Sequence, residues 1–154
     1  IVRMQAPVIR HINESPDDWA RMWTVGVRLG AVPYYMFVER DTGASAYFRV
    51  PLARAYEIFQ AAYRQVSGLA RTVRGPCMSA FPGKVLIDGI TQINGEQYFC
   101  LQYLQARDAW RVRRPFFAKF RRDAHWLDDL TPAFGSEPFF QQDEQSGVHT
   151  QAAE

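Results

Sequence analysis

The sequence predicts an α/β fold: the terminal βα units of an open sheet or partial (β/α) barrel, followed by an antiparallel β-hairpin extension. Three observations carry this. A strand-like stretch at residues 4–12 leads through a helix with clear start and stop signals into a second strand-like stretch at 31–39. A second amphipathic helix follows from Pro51. Residues 84–104 then hold two β-rich runs around an Asn94-Gly95 pair.

The first stretch, MQAPVIRHI, is rich in β-branched residues and ends at NESPDD, where a strand gives way to a loop. Ser15 fits an N-cap, Pro16 the first helical position, and Asp17 and Asp18 complement the positive end of the helix dipole. Trp19, Met22, Trp23 and Val27 follow helical spacing up to Gly30, after which AVPYYMFVE is aromatic and β-branched again. Strand, crossover helix and strand imply parallel pairing with a right-handed connection. Leu52, Ala55, Tyr56, Phe59, Tyr63 and Val66 mark one face of the second helix, which closes near Ser67 and Gly68. Asn-Gly between KVLIDGITQI and EQYFCLQYL is the signature of a type I′ hairpin. Two parallel strands cannot cover both of their own faces, so the chain, which begins at Ile1 directly in a strand, is read as a fragment whose sheet continues elsewhere.

Composition narrows the function. The chain has 154 residues, 47% of them apolar and 14% aromatic, which suits one globular domain. No window reaches the roughly 18 apolar residues of a membrane span, and the start lacks the layout of a signal peptide, so a cytoplasmic location is expected. The net charge of +2 gives no strong pull toward nucleic acid or membrane. Cys77 and Cys100 form no CxxC motif and are expected to be reduced. His11 and His125 are far apart with no ligand spacing around them, so no metal site is assigned. The run RVRRPFFAKFRR could grip phosphates and stack bases. The favoured reading is a strand or loop whose phenylalanines enter the core while its arginines pair with Asp108, Asp123, Asp128 and Asp129.

Lys84 is the sharper candidate. The chain holds 16 arginines and only two lysines, Lys84 and Lys119, and Lys84 sits between a Pro82-Gly83 turn and an apolar run. A lysine amine attacks an aldehyde only when neutral, which desolvation or neighbouring cations favour. Ser67, Gly68, Arg71, Arg74 and Gly75, shortly before it, are suited to an anionic phosphate.

The segments QAPVIRHIN (5–13), VPYYMFVERDTGASAYFRVP (32–51), VSGLARTV (66–73) and PGK (82–84) resemble, in order and spacing, the C-terminal half of the lysine 2,3-aminomutase family of radical S-adenosylmethionine enzymes. Gln5, Asn13, Pro33, Tyr34, Tyr35, Phe48, Arg49, Pro51, Ser67 and Gly68 fall on the family's marks. The resemblance covers residues 1 to about 90. It implies the last βα units of a radical S-adenosylmethionine barrel at 1–75 and the cofactor-lysine turn that opens 76–140. The hairpin and cap in the rest of 76–140 look unlike the family, and the polar composition of 141–154 predicts a disordered tail. It implies an isomerase that moves an amino group between adjacent carbons of an amino acid. Lys84 would carry pyridoxal phosphate, with Gln5, Asn13, Tyr35, Ser67 and Gly68 as cofactor contacts and Tyr34 and Asp41 as substrate contacts. S-adenosylmethionine and a [4Fe-4S] cluster would complete the cofactor set.

Three departures shape the expectation. The CxxxCxxC cluster motif is absent, so the cluster ligands would lie outside this chain. The family's glycine run before the lysine is reduced to Gly83. The two aspartates that hold a lysine substrate's distal ammonium are replaced by Arg40, between Glu39 and Asp41, and by non-acidic residues at Met78-Ser79-Ala80, which leaves the substrate open. The expected partners are an amino-acid substrate, the missing N-terminal part of the barrel and a second copy through the aromatic C-terminal region, with no nucleic acid or membrane. The alternatives are a radical enzyme without aminomutase activity or acting on protein-bound lysine, and a basic-aromatic nucleic-acid-binding module.

Overall fold

The structure is a computed structural model and describes residues 1–40 and 42–135. The expected tail at 141–154 lies outside the described residues, and so does Asp41. The elements run β1 (Val2–Val8), α1 (Pro16–Arg28), β2 (Ala31–Val38), a single turn α2 (Ser45–Phe48), α3 (Leu52–Gln65), β3 (Arg74–Ala80), β4 (Gly83–Ile93), β5 (Glu96–Ala106) and β6 (Pro115–Lys119). The six strands form one sheet in chain order, β1-β2-β3-β4-β5-β6. β1, β2 and β3 pair in parallel, and β3 through β6 pair antiparallel. Among the described residues the sheet is open and does not close into a barrel.

The local signals act as the residues suggest. Ser15 is extended and Pro16 begins α1, although the Ser15 side chain makes no capping bond. Gly30 ends the helix at φ 83°, a conformation that glycine adopts without strain. Asn94 and Gly95 have φ of 50° and 86°, as a type I′ turn requires.

Two strands go beyond the sequence expectation. A third parallel strand, β3, follows α3, so the parallel run has three strands rather than two. β6 is formed by PFFAK within the basic-aromatic stretch. The boundary drawn at residues 75 and 76 falls inside β3.

One face of the sheet is covered. Trp19 and Trp23 of α1 and Ile58 of α3 are fully buried with Val8 and Met36 beneath them, and the Trp23 and Phe59 rings meet edge-on at 5.8 Å. Along the same face Met78, Ile87, Phe99 and Leu101 are sealed by Leu52, Ala124, Leu127 and Leu130. Each such side chain contributes about 1.5–3 kcal/mol by leaving water. Phe116 and Phe120 pack against this cluster, Arg111 lies 3.7 Å from Asp108, and Arg121 pairs with Asp123 at 2.9 Å. The basic-aromatic run is therefore built into the core and its margin. The opposite face carries a smaller cluster of Tyr35, Cys77 and Leu86 with Tyr34, Phe37 and Leu104, and no helix lies over it among the described residues.

Candidate functional site

Strand alternation decides which side chains reach the uncovered face. On β2 these are Tyr35 and Phe37, while Met36 and Val38 enter the covered core. The β1–β2 register runs Met4 to Pro33 and then Gln5 to Tyr35, so Tyr34 is an extra residue at a bulge. The bulge puts both tyrosines into one cluster, with ring centroids 4.0 Å apart.

Lys84 is the second residue of β4 and is paired with Ser79 of β3, close to the C-terminal end of the parallel strands. Its Nζ lies 4.1 Å from the centroid of the Tyr35 ring and 5.2 Å from that of Phe37. Arg3 and Arg74 lie over the Tyr34 ring at 4.9 and 5.3 Å. Three cations thus converge on two phenols. The Tyr35 hydroxyl donates to that of Tyr34, and this bond, together with Arg3, Arg74 and Lys84, holds the Tyr34 phenol below its usual range. Burial and the same bond push Tyr35 up to about 12. Burial pushes the Cys77 thiol up to about 12 against the pull of Lys84 and Arg74, which disfavours its thiolate.

Gly83 has a packing reason. A Cβ there would collide with the Gln105 carbonyl oxygen and come within 2.8 Å of Ala106 Cα on β5. The glycine before the lysine lets two strands touch.

The remaining candidates are scattered. Gln5 lies opposite Tyr35 on the same face, in the middle of β1. The Asn13 amide accepts from Ile9 N–H at 2.7 Å and donates to the Pro7 carbonyl at 3.0 Å, closing the loop after β1, and its own carbonyl accepts from Trp19 Nε1 at 2.6 Å. Ser67 and Gly68 precede β3, in a turn tied to the start of β2 by the bond from Thr72 Oγ1 to Pro33 O at 2.7 Å. The seven residues of β3, about 20 Å at the usual strand rise, separate that turn from the Lys84 end. Arg71 donates to Val66 O there, away from Lys84.

At the C-terminal ends of β2 and β3 lies a cleft of about 700 Å3 lined by Glu39, Arg40, Arg49, Ser79, Arg107 and His125, among others. Sequence reasoning noted Glu39 and Arg40 but missed the cleft. Ser79 also faces Lys84 across the β3–β4 pair, so the cleft adjoins the lysine. Burial lowers the His125 pKa first, and then the charges of Arg49 and Arg10, with Asp129 opposing them.

The group around Lys84 fits pyridoxal phosphate: a primary amine between aromatic faces, with Arg3 and Arg74 beside it to balance a phosphate. An iron-sulfur cluster does not fit these residues. Cys77 and Cys100 stand at different strand positions, and among the described residues no three His, Cys, Asp or Glu side chains gather at ligand distance. No described helix is long and apolar enough to cross a membrane.

What the fold and site define is an α/β sheet with helices on one face and a lysine presented on the other, at the end of its parallel strands. The chain is 33% identical over 132 residues, 82% of its length, to a protein of Aquifex aeolicus named "Putative L-lysine 2,3-aminomutase". It spans 33% of that protein's length. No family model matches the chain.

Proposed function

We propose that the chain is the C-terminal part of a radical S-adenosylmethionine, pyridoxal-phosphate-dependent isomerase that moves an amino group between adjacent carbons of an amino acid. The observation that carries this reading is the position of Lys84, on the uncovered face and stacked on Tyr35, in a chain similar to a protein bearing an aminomutase name. The cofactor, when bound, would supply an electron sink and an exchangeable link to the substrate amine.

The chain's own residues have separable tasks. Lys84 would hold the cofactor through its amine, which makes it the catalytic residue. Tyr35 and Phe37 would fix the direction of the lysine and exclude water from one side of it. Arg74 and Arg3 would balance the phosphate charge, and Tyr34, with its phenol lowered, would accept a hydrogen bond from Tyr35. Asn13 would shape the loop at the mouth. Cluster ligands are assigned to the part of the protein outside these residues. In this reading the partners are an amino-acid substrate and the remaining strands of a barrel whose interior the uncovered face would line. Its compartment would be the cytoplasm.

The test is covalent. The protein that carries this chain is incubated with pyridoxal phosphate, reduced with borohydride, and mapped by mass spectrometry beside Lys84→Ala. A pyridoxyl group on Lys84 that is lost in the variant supports the reading. An unmodified Lys84 removes the cofactor and the reading with it.

A further inference from the structure

We infer that the cleft beside Lys84 binds a carboxylate, and that the ligand it selects is an amino acid with an anionic side chain. Calling that ligand the substrate rests on the function proposed above. The binding itself rests on the cleft alone.

The charges that face the cleft are unequal in availability. Arg40, Arg49 and Arg107 line it, and none of them has a carboxylate partner among the described residues. The carboxylates nearby are partly committed. Asp129 Oδ2 already accepts from the backbone N–H groups of His125 and Trp126 at 2.8 and 3.1 Å. Glu39 lines the cleft half-buried, and its Oε2 is closed to solvent with no hydrogen-bond partner, so its charge opposes the arginines from within the wall. Asp128 is an exposed acid at the rim. Arg107 is further held by its guanidinium lying 4.2 Å from the centroid of the Phe81 ring.

His125, which also lines the cleft, lies in the same field. Beyond burial, Arg49 and Arg10 push it toward the neutral form. Burial disfavours any charge, but the two arginine charges act in the sense that disfavours an ammonium group and favours an oxyanion, with Asp129 opposing them. Guanidinium groups suit the two oxygens of a carboxylate, and Thr42 and Ser79 add hydroxyl donors. A phosphate offers similar oxygens. In the function proposed above Arg3 and Arg74 take the cofactor's phosphate, which leaves the cleft arginines for the far end of the ligand. The cleft by itself calls for an oxyanion, and the titration separates carboxylate from phosphate.

The experiment is isothermal titration of the protein carrying this chain with L-glutamate, glutarate, L-lysine and inorganic phosphate. The variants are Arg49→Gln/Arg107→Gln, Arg107→Lys and Glu39→Gln, each checked for an unchanged melting temperature. Glutamate and glutarate are expected to bind, the double glutamine variant to weaken both by roughly tenfold or more, and Arg107→Lys to lose less. L-lysine is expected to bind at least tenfold more weakly than L-glutamate. Lysine binding as tightly as glutamate, with a loss on Glu39→Gln, overturns the inference. So does phosphate binding as tightly as glutarate, or a double variant that binds normally. A Lys84 that takes the pyridoxyl label while glutamate fails to bind sinks this inference alone. An unlabelled Lys84 with intact glutamate binding sinks the proposed reaction and supports the anion cleft.

Discussion

Gly83 of β4 and Gln105 of β5 touch so closely that no side chain fits at Gly83. The obstacle is backbone, which cannot swing aside as a flexible side chain does. Gly83→Ala is expected to cost about 3 kcal/mol through overpacking. It is also expected to displace the neighbouring lysine. Urea denaturation reads the first effect and pyridoxyl labelling of Lys84 the second, and an alanine variant of normal stability would contradict the geometry.

Asn13 offers a different contrast. Its amide oxygen satisfies Ile9 N–H and its amide nitrogen satisfies the Pro7 carbonyl. Asn13→Ala leaves both groups without partners and is expected to cost about 1–2 kcal/mol. Asn13→Asp keeps the acceptor for Ile9 and is expected to lose less. Equal loss in the two variants, measured by chemical denaturation, would show that the Ile9 bond is not what matters.

The uncovered face makes stability fall in alkali. Cys77 rises from an ordinary 9.0 to about 12 and Tyr35 from 10.0 to about 12, so in each case the folded form keeps a proton that the unfolded chain gives up. Their stabilisation is complete below pH 9 and pH 10 respectively, and is lost as pH rises toward about 12. Tyr34, whose pKa is lowered, works in the opposite sense: its stabilisation is present above 10.0 and is lost as pH falls through the lowered value. Denaturation midpoints at pH 8, 10 and 11 are expected to decline, and Cys77→Ala and Tyr35→Phe should each flatten the decline. A decline that neither variant changes would place the alkaline sensitivity elsewhere.

The same burial predicts that iodoacetamide at pH 8 leaves Cys77 unmodified in the native protein and alkylates it after denaturation. Peptide mapping checks this. Alkylation of native Cys77 at the rate of a free thiol would mean that the face around Lys84 opens far more readily than its packing suggests.

Much of this was legible in the chain. α1 and α3 carry start and stop signals and one apolar face, and Asn94-Gly95 marks a hairpin by local turn chemistry. Lys84 drew attention as one of only two lysines. β3 was not legible because RGPCMSA has neither alternation nor β-branched residues. It is a strand because it is wedged between β2 and β4, where Gly75 lets it approach Met36 to a distance that a Cβ would reduce to 2.8 Å. The cleft was illegible for another reason. Its lining comes from the segment after β2, the end of β3, the end of β5 and the stretch from 125 to 129, and no local pattern joins residues so far apart. Arg3 joins the Lys84 cluster for the same reason, through pairing between β1 and β2 rather than through any motif.

The strand order β1-β2-β3-β4-β5-β6 repeats the order of the chain. No strand has to enter between two that are already paired, so every pairing joins consecutive segments and closes only a short or helix-filled connection. The sheet can grow by accretion, from the tightly turned β4–β5 hairpin outward, each new strand finding an edge already in place. Topologies of this kind favour rapid folding over those that must bring distant segments together first. On that route β1 is laid down last on the parallel side, and its edge is where growth stops or passes to another stretch of polypeptide.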